Sequence, residues 1–167
     1  MKSLISLSLV LFFSLSNAAF SATVGNNAPD FSLPSLQGAA KKDGVMMRDF
    51  RGKVVYLDFW ASWCGPCRKS MPVLEEIRAK YKDQGFEVVA VNVDEATDDA
   101  VRFLQKYPVS YPILLDPKGK TPAQYKVEGM PTAYIVDKAG VIRYVHSGFQ
   151  NHDREKIEAT VKKLLAK

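Results

Sequence analysis

A seven-residue run, Val54-Val55-Tyr56-Leu57-Asp58-Phe59-Trp60, apolar but for Asp58, precedes Cys64-Gly65-Pro66-Cys67, and these are the only two cysteines in the chain. No other feature constrains the fold as strongly. An apolar run of this kind suits a central strand covered on both faces. A strand that leads into Cys-x-x-Cys and then into a helix sets the first sulfur at the helix N-terminus. There the free backbone N–H groups and the helix dipole favour a thiolate. A thiolate beside a second thiol supplies one sulfur to attack and one to resolve, which is what disulfide exchange requires.

Other uses of a cysteine pair fit less well. A structural staple that closes two intervening residues removes little chain entropy and stabilises weakly. A zinc site takes about four ligands. The only histidines, His146 and His152, are remote from the cysteines in sequence. No metal and no other cofactor is therefore expected.

Asp58 is the one ionisable residue in the apolar run. The period of two along a strand puts it on the face of Tyr56 and Trp60, beneath the cysteines. Burial raises a carboxyl pKa, so Asp58 is a candidate acceptor for the proton of Cys67. Gly65 and Pro66 set the approach of the two sulfurs, and Pro66 supplies no N–H to a Cys64 thiolate.

The rest of the chain reads as one α/β domain. Asp30 to Leu33 alternates like a short strand, Gln37 to Gly44 reads as a loop, and Val45 to Arg48 returns as a second strand of a hairpin. A helix is expected from Cys64 to about Gln84, with Leu74, Ile77 and Tyr81 inward, a kink at Pro72 and a stop at Gly85. Phe86 to Val93 is a second buried strand. Thr97 is expected to cap a short helix with Val101, Leu104 and Tyr107 inward. Ile113 to Leu115 is a short strand, and Thr121 to Tyr125 forms a helical turn. Thr132 to Val136 and Val141 to Val145 make an antiparallel pair, and a last helix covers Asp153 to Leu165.

The first residues read as an export leader rather than as part of the fold. A positive start, Met1-Lys2-Ser3, precedes the apolar stretch Leu4 to Leu15, and Ser16-Asn17-Ala18 supplies small residues at a cleavage point. The expected division is a signal peptide over 1–18, with cleavage as late as residue 22, and one domain over 23–167. The apolar stretch is shorter than the roughly 18 residues of a spanning helix, so an uncleaved anchor is the lesser alternative. The net charge is +5, and no basic run exceeds two residues. That is too sparse for a nucleic-acid surface, and none is expected as a partner.

Three further features carry a resemblance. Asp58-Phe59-Trp60-Ala61-Ser62-Trp63-Cys64-Gly65-Pro66-Cys67 closely resembles the thioredoxin active site, Pro72 matches the family's kinked helix, and Gly129-Met130-Pro131-Thr132 resembles its cis-proline loop. Ala28-Pro29-Asp30-Phe31-Ser32-Leu33, Asp49 to Val55, and the segment from about Asp98 to Tyr125 resemble the TlpA/ResA-like, redoxin-related branch. The resemblance implies a thioredoxin-like fold with an N-terminal β-hairpin extension and a central helix–strand insertion. It implies Cys64 as nucleophile at an exposed helix start, Cys67 as the resolving thiol, and a cis bond before Pro131. The Met130 backbone would then pair with an extended substrate, with Trp60, Trp63, Gly65 and Pro66 around it. Implied partners are disulfide-containing exported proteins and a transmembrane thiol donor of the DsbD or CcdA type, for a monomer in the periplasm. Two positions depart from the pattern. Asp58 stands where the branch often has Asn, and Ala90 aligns where thioredoxin has a lysine beside its buried acid. A DsbA-like thiol oxidant and a copper-handling module with Cys64, Cys67 and His146 are the competing readings.

Overall fold

A computed structural model of the protein describes residues 22–38, 41 and 43–167. The stretch read as an export leader lies outside the described residues. The chain folds around a six-stranded sheet in the order β2-β6-β5-β4-β7-β8, with a separate two-stranded ladder of β1 and β3. The strands are β1 (Ser32–Leu33), β2 (Ser35–Gln37), β3 (Val45–Met46), β4 (Val54–Trp60), β5 (Phe86–Asn92), β6 (Ile113–Leu115), β7 (Thr132–Val136) and β8 (Ile142–Ser147). The helices are α1 (Gly65–Tyr81), α2 (Thr97–Lys106), α3 (Lys120–Tyr125) and α4 (Asp153–Leu165).

β4 and β5 pair in parallel at the centre, and every residue of both is buried. Alternation along β4 sorts its side chains to two layers. Tyr56 and Trp60 pack with Cys67, Met71, Leu74 and Ile77 of α1, with Ile157 and Val161 of α4, and with Phe103 of α2. Val55, Leu57 and Phe59 face Leu33, Val45 and Phe50 of the N-terminal segment and Tyr125 of α3. Burying each such side chain is worth roughly 1.5–3 kcal/mol, so these two layers can carry one buried carboxyl, Asp58, between Leu57 and Phe59.

α1 starts where the two sulfurs require it and buries the expected face of Leu74, Ile77 and Tyr81. It ends at Tyr81 rather than Gln84. Lys82–Gln84 tighten into a 3-10 turn, closed by Gly85 at φ 95°, a left-handed value that glycine adopts without a Cβ clash.

Three expectations are corrected. The N-terminal hairpin is present as the β1–β3 ladder, but its return strand is only Val45–Met46. The Asp49 carboxylate accepts the Met46 N–H at 2.8 Å, and Met47–Phe50 coil into a 3-10 turn. Between these strands the chain also adds β2 to the edge of the main sheet, antiparallel to β6. There the Gln37 side-chain amide donates to the Val109 and Tyr111 carbonyls at 2.9 and 3.2 Å. In α2, Ala96 is the capping residue, without a side-chain bond, and Thr97 is already helical. Its buried face is Ala100, Phe103 and Leu104, with Val101 only half-buried, because the helix docks Phe103 on Trp60 with ring centroids 5.0 Å apart.

Candidate active site

The C-terminal end of β4 and the first turn of α1 build the site together. Cys64 is the N-cap of α1 in extended backbone. Its own N–H donates to the Ala61 carbonyl at 3.1 Å, and its Sγ accepts the Cys67 N–H at 3.1 Å. The two cysteines form a disulfide with Cα atoms 5.3 Å apart. Sequence reasoning put Cys64 at an exposed helix start. It is at the helix start, but only 4% exposed, because the disulfide draws its sulfur against the first turn; Cys67 is fully buried. Any reagent therefore meets Cys64 first. Gly65 and Pro66 are exposed, and Trp63 stands out at 72% exposure.

Asp58 lies in a row across the sheet, with Ala90 of β5 opposite on one side and Ala133 of β7 on the other. Two methyl groups thus flank the carboxyl across the sheet. Among the described residues neither of its oxygens has a hydrogen-bond partner. Desolvation alone pushes the Asp58 pKa up to about 8, since burial disfavours the charged form. Ala90 occupies the facing position to which sequence alignment assigned the missing lysine. The Tyr56 and Tyr111 hydroxyls, also buried, are held well above the usual tyrosine pKa, by desolvation first and then by the Asp58 charge.

Trp60 does not form part of the rim. It is fully buried, and among the described residues its indole N–H has no partner, because α2 lies over it and packs Phe103 against its ring at a tilt of 47°. The Met130–Pro131 peptide bond is cis. Met130 is half-buried and Pro131 buried. The loop is fastened by the Thr132 hydroxyl, which donates to the Gly129 carbonyl at 2.7 Å, and by the Gly148 N–H, which donates to the Pro131 carbonyl at 2.8 Å. His146, the imidazole considered for copper, sits on edge strand β8 opposite Ala133. Its Nε2 is 3.5 Å from Asp153 Oδ2, without hydrogen-bond geometry, and desolvation lowers its pKa. Among the described residues, no three His, Cys, Asp or Glu side chains gather as a metal site.

Sequence reasoning missed the clamp that holds the loop before Cys64. Asp94, just beyond β5, is buried and accepts the Ser62 N–H at 3.0 and 3.1 Å, the Ser62 hydroxyl at 3.0 Å and the Asn92 amide at 2.7 Å. An Asp directly after a buried strand, with a Ser two residues before the first cysteine, was the available signal. Asp94→Ala leaves the Ser62 N–H and the Asn92 amide without their acceptor. Bonds to a charged group are worth about 1.5–3 kcal/mol each, and urea unfolding is expected to show a loss of about 3 kcal/mol. A change below about 1 kcal/mol would mean that water replaces the carboxylate freely.

Comparison with known proteins agrees with this geometry. The family model described as Redoxin matches residues 23–162. The thiol-disulfide oxidoreductase ResA of Bacillus thuringiensis subsp. konkukian (strain 97-27) is 38% identical over 142 residues, which is 84% of this chain and 78% of the relative. ResA of Geobacillus kaustophilus (strain HTA426) is 37% identical over 125 residues, 75% of this chain and 70% of the relative. Among solved structures, a protein described as thiol:disulfide interchange protein DsbE from Chlorobium tepidum superposes with a TM-score of 0.81 at 47% identity, covering 87% of this chain and 99% of that one.

Proposed function

The chain belongs to the redoxin family, as a thioredoxin-like protein-disulfide oxidoreductase of the TlpA/ResA type, and we propose that it works in the reducing direction, outside the cytoplasm, through Cys64 and Cys67. In the forward half-reaction the Cys64 thiolate attacks a substrate disulfide. The substrate S–S bond breaks, one substrate sulfur leaves as a thiolate, and a mixed disulfide forms. Cys67 then gives its proton to Asp58 and attacks Cys64 Sγ. The second substrate thiol is released, and the Cys64–Cys67 disulfide remains with the two electrons spent. In the return half-reaction a donor thiolate attacks Cys64, Asp58 protonates the departing Cys67 sulfur, and the donor's second thiol then attacks the mixed disulfide, which releases Cys64 as a thiolate and leaves the donor as its disulfide. With a pKa of about 8 in the disulfide form, Asp58 holds that proton at neutral pH. The Met130 backbone, in the loop that resembles the family's substrate-facing loop, is the proposed partner for an extended substrate strand, beside Trp63, Gly65 and Pro66.

One observation carries the direction. In the disulfide form, and among the described residues, the Cys67 N–H is the sole hydrogen-bond donor to Cys64 Sγ; Pro66, inside the same helical turn, has no N–H to add to the thiolate formed on reduction. A thiolate with few donors is weakly stabilised, and a dithiol whose reduced form is weakly stabilised gives up electrons readily. About 30 mV corresponds to roughly 1.4 kcal/mol for a two-electron couple, so one hydrogen bond is enough to matter. The periplasmic reading, with a membrane-anchored form as its alternative, rests on the leader pattern over 1–18. No helix among the described residues is long and apolar enough to cross a membrane.

A reductant in an oxidising compartment needs electrons from across the membrane, which points to a thiol donor of the DsbD or CcdA type and to disulfide-containing exported proteins as substrates. Alkylation trapping of the Cys64–Cys67 pair in cells tests this. The pair is expected to be largely reduced with the donor present and oxidised without it. A pair oxidised in both, in a protein that oxidises dithiols in vitro, would establish an oxidant instead.

A further inference from the structure

Disulfide exchange by itself makes no use of the face that α2 turns toward the cysteines. Arg68 of α1, Arg102, Phe103 and Lys106 of α2, and Tyr107 just after it line a cleft of about 360 Å3 that opens beside Cys64. Three of its lining side chains are cations. Asp99, the acid in the lining, is already ion-paired with Arg102. Arg68 and Lys106 have no acidic partner among the described residues. The aromatic wall is held in place, because Phe103 packs at a tilt between buried Trp60, with ring centroids 5.0 Å apart, and Tyr107, 4.9 Å apart. The cations therefore stand on a fixed surface at the mouth through which a substrate sulfur reaches Cys64. An uncompensated positive field at such a mouth favours approach of negative groups and repels positive ones.

We propose that this cleft selects protein segments that carry Asp or Glu next to the disulfide cysteine. This rests on the reading of Cys64 as the sulfur that meets substrate, and it adds the substrate class. The carboxylates would seat against Arg68 and Lys106, beside the Arg102–Asp99 pair, while the apolar neighbours of the cysteine lie along Phe103, Tyr107 and the exposed ring of Trp63. Selection of this kind acts on association, so it belongs in kcat/KM and weakens with salt.

The test uses the purified full chain with a chemical dithiol as electron source. Its substrates are three disulfide peptides that differ only at two positions beside the cysteine, occupied by Glu, Gln or Lys. Exposed charge pairs are each worth a factor of a few, so the Glu peptide is expected to exceed the Gln peptide in kcat/KM by roughly tenfold at low salt. The Lys peptide is expected to be slowest, and the differences should shrink toward unity in half-molar salt. Arg102→Glu combined with Lys106→Glu should reverse the order of the Glu and Lys peptides. The Arg102 side chain is 66% exposed, so the change leaves the core intact, and the salt series on the unaltered protein does not depend on the variant folding. Equal kcat/KM for Glu and Gln peptides in the unaltered protein overturns the inference and leaves the oxidoreductase reading standing. No turnover of any peptide overturns the reading of Cys64 on which it rests. Faster turnover of oxidised glutathione than of the Glu peptide would overturn the assignment to a protein segment, in favour of a small anionic disulfide.

Discussion

Cys64→Ser is expected to abolish reduction of insulin disulfides, a loss of roughly three orders of magnitude or more, as for removal of a covalent nucleophile in general. Cys67→Ser is expected to fail differently. Its Cys64 still attacks, but the mixed disulfide has no neighbouring thiol to resolve it, so the variant should accumulate covalently joined to its substrate. The asymmetry follows from geometry. Cys64 caps α1 and retains a sliver of solvent exposure, whereas Cys67 is fully enclosed one turn later. Non-reducing electrophoresis after mixing with an oxidised protein reads both outcomes. Stable adducts of the variant that keeps Cys67, and none with the variant that keeps Cys64, would reverse the two roles.

Asp58→Asn is expected to change the pH dependence of stability by several kcal/mol. In the unfolded chain an aspartate titrates near 3.9, while in the fold Asp58 holds its proton up to a pKa of about 8. Between these values the folded state binds more protons than the unfolded state. Stability therefore falls as pH rises through that window, by about 1.4 kcal/mol per pH unit. The contribution is fully present below about pH 4 and is lost as pH passes 8. Asparagine does not titrate, so the variant should gain roughly 4 kcal/mol on the parent between pH 4 and pH 7. That is a large share of the 5–15 kcal/mol that holds a domain folded. Urea unfolding of both proteins across this range checks it, and parallel stability curves would show that the carboxyl is solvated after all. The same variant should slow exchange near pH 7, where proton transfer with Cys67 would lose its acceptor. Asp58 shares the face of β4 on which Tyr56 and Trp60 pack with Cys67, so the proposed proton transfer gives this stability-costing acid a use that folding does not.

Much of the architecture was legible because its signals are local. The apolar runs of β4 and β5, the three-and-four spacing of Leu74, Ile77 and Tyr81 in α1, and the boundaries of α4 each depend on a few neighbouring residues. The structure bears these out closely. β2 was not legible, because Ser35–Gln37 has no strand-like pattern of its own and pairs with Ile113 and Leu114 of β6, nearly eighty residues along the chain. The inward face of α2 was read one position off, since Val101 and Phe103 are both apolar and only docking on Trp60 decides between them. The same docking buried Trp60, which an isolated strand-to-loop sequence leaves free to line the rim.

By itself the sequence determined the α/β class, the strand-to-helix junction that carries both sulfurs, and the side of β4 on which Asp58 lies, since each follows from the chain's own period and from the spacing of two cysteines. Tertiary structure alone decided the surroundings. It put Ala133 on the other side of Asp58 from Ala90, hung the loop before Cys64 on Asp94, and brought Arg102 and Lys106 round to the same cleft as Arg68. The physical reason is common to all three. Desolvation, hydrogen-bond satisfaction and electrostatic field are set by what lies nearby in space, and here the deciding neighbours are some thirty or more residues away along the chain.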